Sequence, residues 1–134
     1  MTALVPTLNV KVCGLTHPDD IEPVLATGAT HVGFIFAPRS PRCISIQRAS
    51  ELSETIDGRA ERVAVVQDQP VREVRRIATE VGIRTVQLHG GFTVSDASSL
   101  LGDGLHVVWA VPVDADGRWS LPEGLPLKLE PDEG

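Results

Sequence analysis

The chain has 134 residues, 42% hydrophobic and 22% charged, the composition of one soluble globular domain. Its net charge of −6 offers no basic surface to replace phosphate counterions, which argues against a nucleic-acid partner. Its apolar stretches are strand-sized and cannot span a bilayer. The N-terminus MTALVPTLNV lacks the basic region and apolar core of a secretory signal, so Cys13 and Cys43 are read as reduced thiols in the cytoplasm.

Short β-branched runs alternate with helical stripes along the chain. Leu8–Leu15 precedes Ile21, Val24 and Leu25, which share one helical face. His31–Phe36 precedes Ile46, Ala49, Leu52 and Ile56. Arg62–Val66 precedes the clearest stripe, Val71, Val74, Ile77, Ala78 and Val81, with Arg72, Arg75 and Arg76 left to water. Thr85–His89 precedes the weaker stripe Ala97, Leu100 and Leu101, and Leu105–Val113 is a fifth run. The i, i+3, i+4 spacings predict amphipathic helices.

Gly28, Gly58, Gly82 and Gly102 each follow a stripe, where a left-handed C-terminal cap favours a residue without Cβ. Thr16, Ser45 and Asp68 stand near helix starts, with Pro18 and Pro70 beside them. Repeated strand–helix–glycine units predict consecutive βαβ units with a parallel sheet, an α/β fold in one domain over residues 1–134. From 113 to 134 the pattern turns irregular, broken by Gly117, Pro122 and Gly124, and the short run at 126–130 has the length of a sixth strand.

Successive side chains of a strand point to opposite faces. Val10 and Val12 alternate with Lys11 and Cys13; Val86 and Leu88 alternate with Gln87 and His89. A parallel sheet buried on both faces normally reads as continuous apolar runs. Polar residues on one face of two strands therefore point to a functional cavity at the C-terminal strand edge, where β/α sheets build their sites. The alternative is that Lys11 and Gln87 satisfy each other inside the sheet.

Three segments make the reading specific. Lys11-Val12-Cys13-Gly14-Leu15-Thr16, the long stretch from Gly33-Phe34-Ile35-Phe36 through Pro41-Arg42-Cys43-Ile44-Ser45, and Val86-Gln87-Leu88-His89-Gly90 resemble, in order and spacing, the first-strand, second-strand and fourth-strand motifs of the phosphoribosylanthranilate isomerase family. The resemblance covers residues 8 to about 113 and implies a β/α (TIM-type) barrel. At 134 residues the chain is shorter than the ~200 of a small eight-stranded barrel, so an incomplete one with five to six strands and four helices is expected. Such a sheet would expose two edges; a second copy or a complementing C-terminal half would cover them, or the strands would rearrange into an open sandwich, or the sequence is a fragment of a longer protein.

The family converts phosphoribosylanthranilate, an aryl-amine sugar phosphate, into carboxyphenylamino-deoxyribulose phosphate. It does so by an Amadori rearrangement in tryptophan biosynthesis, with no cofactor and no metal. By resemblance Cys13 is the general base, acting as a thiolate that Lys11 on the same face could favour. Arg42 matches the position that binds the anthranilate carboxylate, a task suited to a planar guanidinium, whereas Arg39 reads as a solvated loop residue. Gln87 and His89 match pocket-lining positions, and Lys11 joins them as a substrate-binding candidate.

The general acid is an Asp at the end of the family's sixth strand, and Glu130 is the candidate here. Cys43 replaces a commonly aromatic residue and reads as packing. Residues 63–68 depart from the family's Gly, Phe and Asn, and Gly91-Phe92 replaces its acidic pair. Trp109 stands where Lys is often seen and is expected to narrow the pocket. The competing function is an altered or inactive half-barrel that binds a related aryl carboxylate or serves as an assembly module.

Overall fold

A computed structural model of the chain describes residues 8–120, so Glu130 and the expected strand at 126–130 lie outside the described residues. The elements alternate as β1 (Lys11–Cys13), a 3-10 turn (Pro18–Asp20), α1 (Ile21–Ala26), β2 (His31–Ile35), α2 (Ile46–Ile56), β3 (Glu61–Gln67), α3 (Val71–Val81), β4 (Thr85–His89), α4 (Val94–Gly102) and β5 (His106–Trp109). All five strands pair in parallel in the order β1-β2-β3-β4-β5. A doubly wound sheet reverses its strand order at a switch point. Here the order runs without reversal, as in a β/α barrel.

The helices lie on one face. Ile21, Ala49, Leu52, Ile56, Val74, Ile77, Ala97 and Leu100 pack with Val32, Phe34, Ala64, Val66, Val86 and Leu88 into one core, and the large members of that set are fully buried. These strand residues are the alternate ones of β2, β3 and β4, the helix side of the pleat. The other face carries Cys13, Ile35 and Val65, with Ala37 beyond the end of β2, in a smaller apolar cluster, and around it the polar residues of the sheet.

Local chemistry explains most boundaries. Ser45 Oγ accepts from Arg48 N at 3.1 Å and starts α2. Thr93 and Asp96 form a reciprocal capping box on α4, with Asp96 N donating to Thr93 Oγ1 at 3.1 Å and Thr93 N donating to Asp96 Oδ2 at 2.9 Å. Gly82 closes α3 in the left-handed region at φ +79°, as its position after the stripe predicts.

Other caps differ from the sequence reading. Gly102 is the last residue of α4, and Gly104 takes the left-handed conformation instead. At α2 the cap itself is Asp57, at φ +48°. The 3-10 turn is capped by His17 rather than Thr16, through Asp19 N donating to His17 Nδ1. Asp68 caps nothing: Pro70 stands at the start of α3, and the Asp68 carboxylate is taken by another loop.

The outer strands are shorter than their β-branched runs. β1 stops where Gly14 turns at φ +91°. Next to β5, Ala110 N still donates to Leu88 O at 2.9 Å, and β4 itself ends at His89, before Gly90 at φ +81°. Beyond β5, the Asp114 carboxylate accepts from Asp116 N and Arg118 N at 2.9 Å each, an Asx turn in the stretch expected to be irregular. No helix among the described residues is long and apolar enough to cross a membrane.

Candidate active site

Cys13 is the last residue of β1, on the face away from the helices, and pairs in register with Gly33 of β2. The ladder continues one step past it, with Gly14 N donating to Gly33 O at 2.9 Å. The half-buried thiol sits against Ile35, Ala37 and Val65.

The loop after β2 folds back over this point. Arg42 Nη1 donates to the carbonyl of Cys13 at 3.3 Å, and Arg42 N is held by Ser40 Oγ at 3.1 Å. Gly14 makes that approach feasible: a Cβ there would stand 2.6 Å from Arg42 Nη1. The turn and the close packing both require glycine. One bond holds the guanidinium, and the exposed Arg42 keeps donors free for a planar anion. Arg39, three residues earlier, is exposed, as a solvated loop residue would be.

Lys11, Gln87 and His89 form a second group on the same face. Lys11 Nζ donates to Gln87 Oε1, and Gln87 Nε2 lies 2.9 Å from His89 Nε2. An ammonium only donates, which fixes the amide oxygen toward Lys11 and the amide nitrogen toward the ring. His89 therefore accepts at Nε2, and a neutral ring carries its proton on Nδ1. The sequence reading gave Lys11 three roles: a support for the Cys13 thiolate, a partner of Gln87 and a substrate-binding residue. The structure shows the second, and that one bond leaves the exposed ammonium further donors.

Lys11 opens β1 and stands in register with His31 and, through it, Glu61, at the N-terminal edge of the strands, whereas Cys13 and His89 end theirs. A cavity of about 360 Å³ opens at that N-terminal edge, between Lys11, His31, Glu61, Thr85 and His106. Glu61 accepts from Thr85 Oγ1 at 2.8 Å and lies 3.7 Å from His31 Nε2, while His31 Nδ1 lies 2.8 Å from Thr30 Oγ1. Extending the two-residue alternation to His31 and Glu61 would have exposed this polar layer in the sequence.

Three further expectations change. Trp109 packs against the helix-side core, because position 109 follows the parity of Val107; the indole cannot narrow a site on the other face. Cys43 is exposed rather than packed. Its backbone bridges to Ile35 and the following Ile44 N donates to Ile35 O, so the segment runs alongside the end of β2. Asp68, at φ +61°, accepts from Gly91 N at 2.6 Å and so ties the loop after β3 to the loop after β4, beside His89. Its left-handed backbone leaves no periodic trace, and sequence reasoning missed it.

The family model for N-(5'-phosphoribosyl)anthranilate (PRA) isomerase matches residues 10–121. The chain belongs to the phosphoribosylanthranilate isomerase family. It is 36% identical over 125 residues to the N-(5'-phosphoribosyl)anthranilate isomerase of Chlamydia felis, covering 92% of this chain and 60% of that protein.

Among solved structures it is similar to a phosphoribosyl anthranilate isomerase in complex with reduced 1-(o-carboxyphenylamino)-1-deoxyribulose 5-phosphate. The TM-score is 0.76 and the identity 30%, covering 82% of this chain and 56% of that one. It is also similar to monomers generated from the dimeric enzyme of Thermotoga maritima, at TM-score 0.74 and 31% identity, covering 81% and 55%. The chain thus spans little more than half the length of these isomerases. The described residues have the α/β fold of part of those barrels, a parallel five-stranded sheet with its helices on one face.

Proposed function

We propose that this chain supplies the base and the carboxylate clamp of a phosphoribosylanthranilate isomerase. The observation that carries the reading is the joining of Cys13 and Arg42, 29 residues apart, by a hydrogen bond at the C-terminal end of β1. In this reading the Arg42 guanidinium pairs with the anthranilate carboxylate and orients the aryl amine. The Cys13 thiolate then removes the proton from the sugar carbon next to the reacting one.

Protonation of the ring oxygen, which opens the furanose, is assigned to Glu130 from the sequence pattern. His89 lines the pocket as a directed ring held by Gln87, and Lys11, bonded to Gln87, is a substrate-binding residue beside them. The chemistry is proton transfer throughout and needs neither metal nor redox cofactor. The site is small-molecule, cytoplasmic and built in one domain over residues 1–134.

A homodimer, or a complementing C-terminal half, is proposed to cover the edges of β1 and β5, which have no strand partner among the described residues. The dimeric Thermotoga maritima relative supports the first arrangement. Solution mass distinguishes the two. The functional test is product formation from freshly made phosphoribosylanthranilate by the chain, with and without the C-terminal half of a relative. Turnover that disappears with Cys13→Ala is expected. Absence of turnover in both conditions, with folded protein, would refute the assignment.

A further inference from the structure

We propose that Gly33 is a positioning residue for the Cys13 thiol, seating the sulfur through the absence of its own Cβ. The inference rests on the reading of Cys13 as the base and adds a residue to it. Cys13 and Gly33 are direct cross-strand partners. A Cβ built on Gly33 would lie 2.8 Å from Cys13 Sγ and 3.4 Å from the Cys13 Cα and Cβ. Comfortable non-bonded separations are about 3.5–4.0 Å even between carbon atoms. The sulfur therefore occupies space that any other residue would fill.

Backbone conformation does not explain the glycine. Gly33 lies in the middle of β2 and is absent from the positive-φ glycines, unlike Gly14 and Gly90. Nor does a wide cleft surround it: Gly33 is buried, and its neighbours Val32 and Phe34 are fully buried on the opposite face. The strand cannot slide to absorb a methyl group without disturbing that core. The Cys13 side chain also packs against the cluster of Ile35, Ala37 and Val65. The thiol is thus seated beside an apolar cluster and in a glycine notch, and a side chain at 33 would drive it out of that seat.

The test uses a Cys43→Ser chain, whose single thiol is Cys13, compared with the same chain carrying Gly33→Ala. The alkylation rate by iodoacetamide is measured beside isomerase turnover and thermal unfolding. The expected result is a severalfold change in Cys13 alkylation, and a kcat lower by about 100-fold, the scale for a misplaced reacting group. KM stays unchanged, because Arg42 is untouched. Whatever thermal stability Gly33→Ala loses is recovered mostly when Cys13→Ala is added, since the methyl then meets no sulfur.

An unchanged alkylation rate, or a stability loss equal with and without the sulfur, would overturn the proposal. Altered alkylation in a chain that never turns over substrate would uphold the seating of the thiol and count only against the isomerase reading.

Discussion

Gly90→Ala is expected to unlatch the loop after β4 through two separable effects. Gly90 stands at φ +81°, and a Cβ there would lie 2.9 Å from the Cγ of Asp68. The left-handed backbone costs an alanine about 1–2 kcal/mol. The displaced carboxylate also loses the 2.6 Å bond from Gly91 N. Bonds to charged groups contribute about 1.5–3 kcal/mol, and this exposed one belongs at the lower end. The sum is about 3 kcal/mol, or a fall of roughly 10 °C in Tm for a domain of this size.

In an Asp68→Ala background the clash and the bond are already gone. Only the backbone contribution of about 1–2 kcal/mol should then remain, leaving a coupling of about 1.5 kcal/mol between the two sites. Thermal unfolding of the four proteins, followed by circular dichroism, gives that coupling directly. Equal costs of Gly90→Ala in the two backgrounds would refute the latch.

The remaining expectations concern the clamp, the core and an ion pair. Arg42→Lys should raise KM about tenfold or more by removing the bidentate geometry, with kcat less affected, as steady-state kinetics would show. Leu52→Ala empties a fully buried position in the helix-side core and should cost about 2–5 kcal/mol in chemical denaturation.

Arg59 Nη2 and Nη1 donate to Glu22 at 2.6 and 3.0 Å, and the hydrogen bond with the guanidinium charge holds the Glu22 carboxyl below its ordinary value against opposing desolvation. The folded state then binds fewer protons than the unfolded one. The pair's contribution is present above the ordinary carboxylate range and disappears as pH falls through the lowered value. The stability difference between the native chain and Glu22→Gln should therefore shrink on acidification in urea titrations; a difference that grew would contradict the sign.

Much of the fold was legible because burial writes a period into the sequence. Val71, Val74, Ile77, Ala78 and Val81 recur as a helix requires, and Val74, Ile77, Ala78 and Val81 are all buried. Strand centres were equally plain, whereas ends were set by facts with no periodic signature, such as the turn at Gly14 and the left-handed Asp57. The site was legible in its residues but not in its pairings. Alternation placed Cys13, Lys11, Gln87 and His89 on one face, yet it could not tell whether Lys11 reaches the thiol or the amide. That choice depends on how far the sheet curves.

Trp109 shows the reverse case, in which position by resemblance pointed to the pocket while the parity shared with Val107 pointed to the helices. Parity prevailed, because turning one strand residue inward would turn every neighbour with it. Asp68 was misplaced because Asp before Pro70 reads as a cap. Only the three-dimensional approach of the next loop reveals that its carboxylate is used elsewhere.

Protection of Cys13 tests the central claim most directly, that this thiol and Arg42 face one substrate. Alkylation of the Cys43→Ser chain by iodoacetamide should slow markedly as reduced 1-(o-carboxyphenylamino)-1-deoxyribulose 5-phosphate is added, and Arg42→Ala should shift that protection to much higher concentration. An alkylation rate indifferent to the ligand would contradict the account.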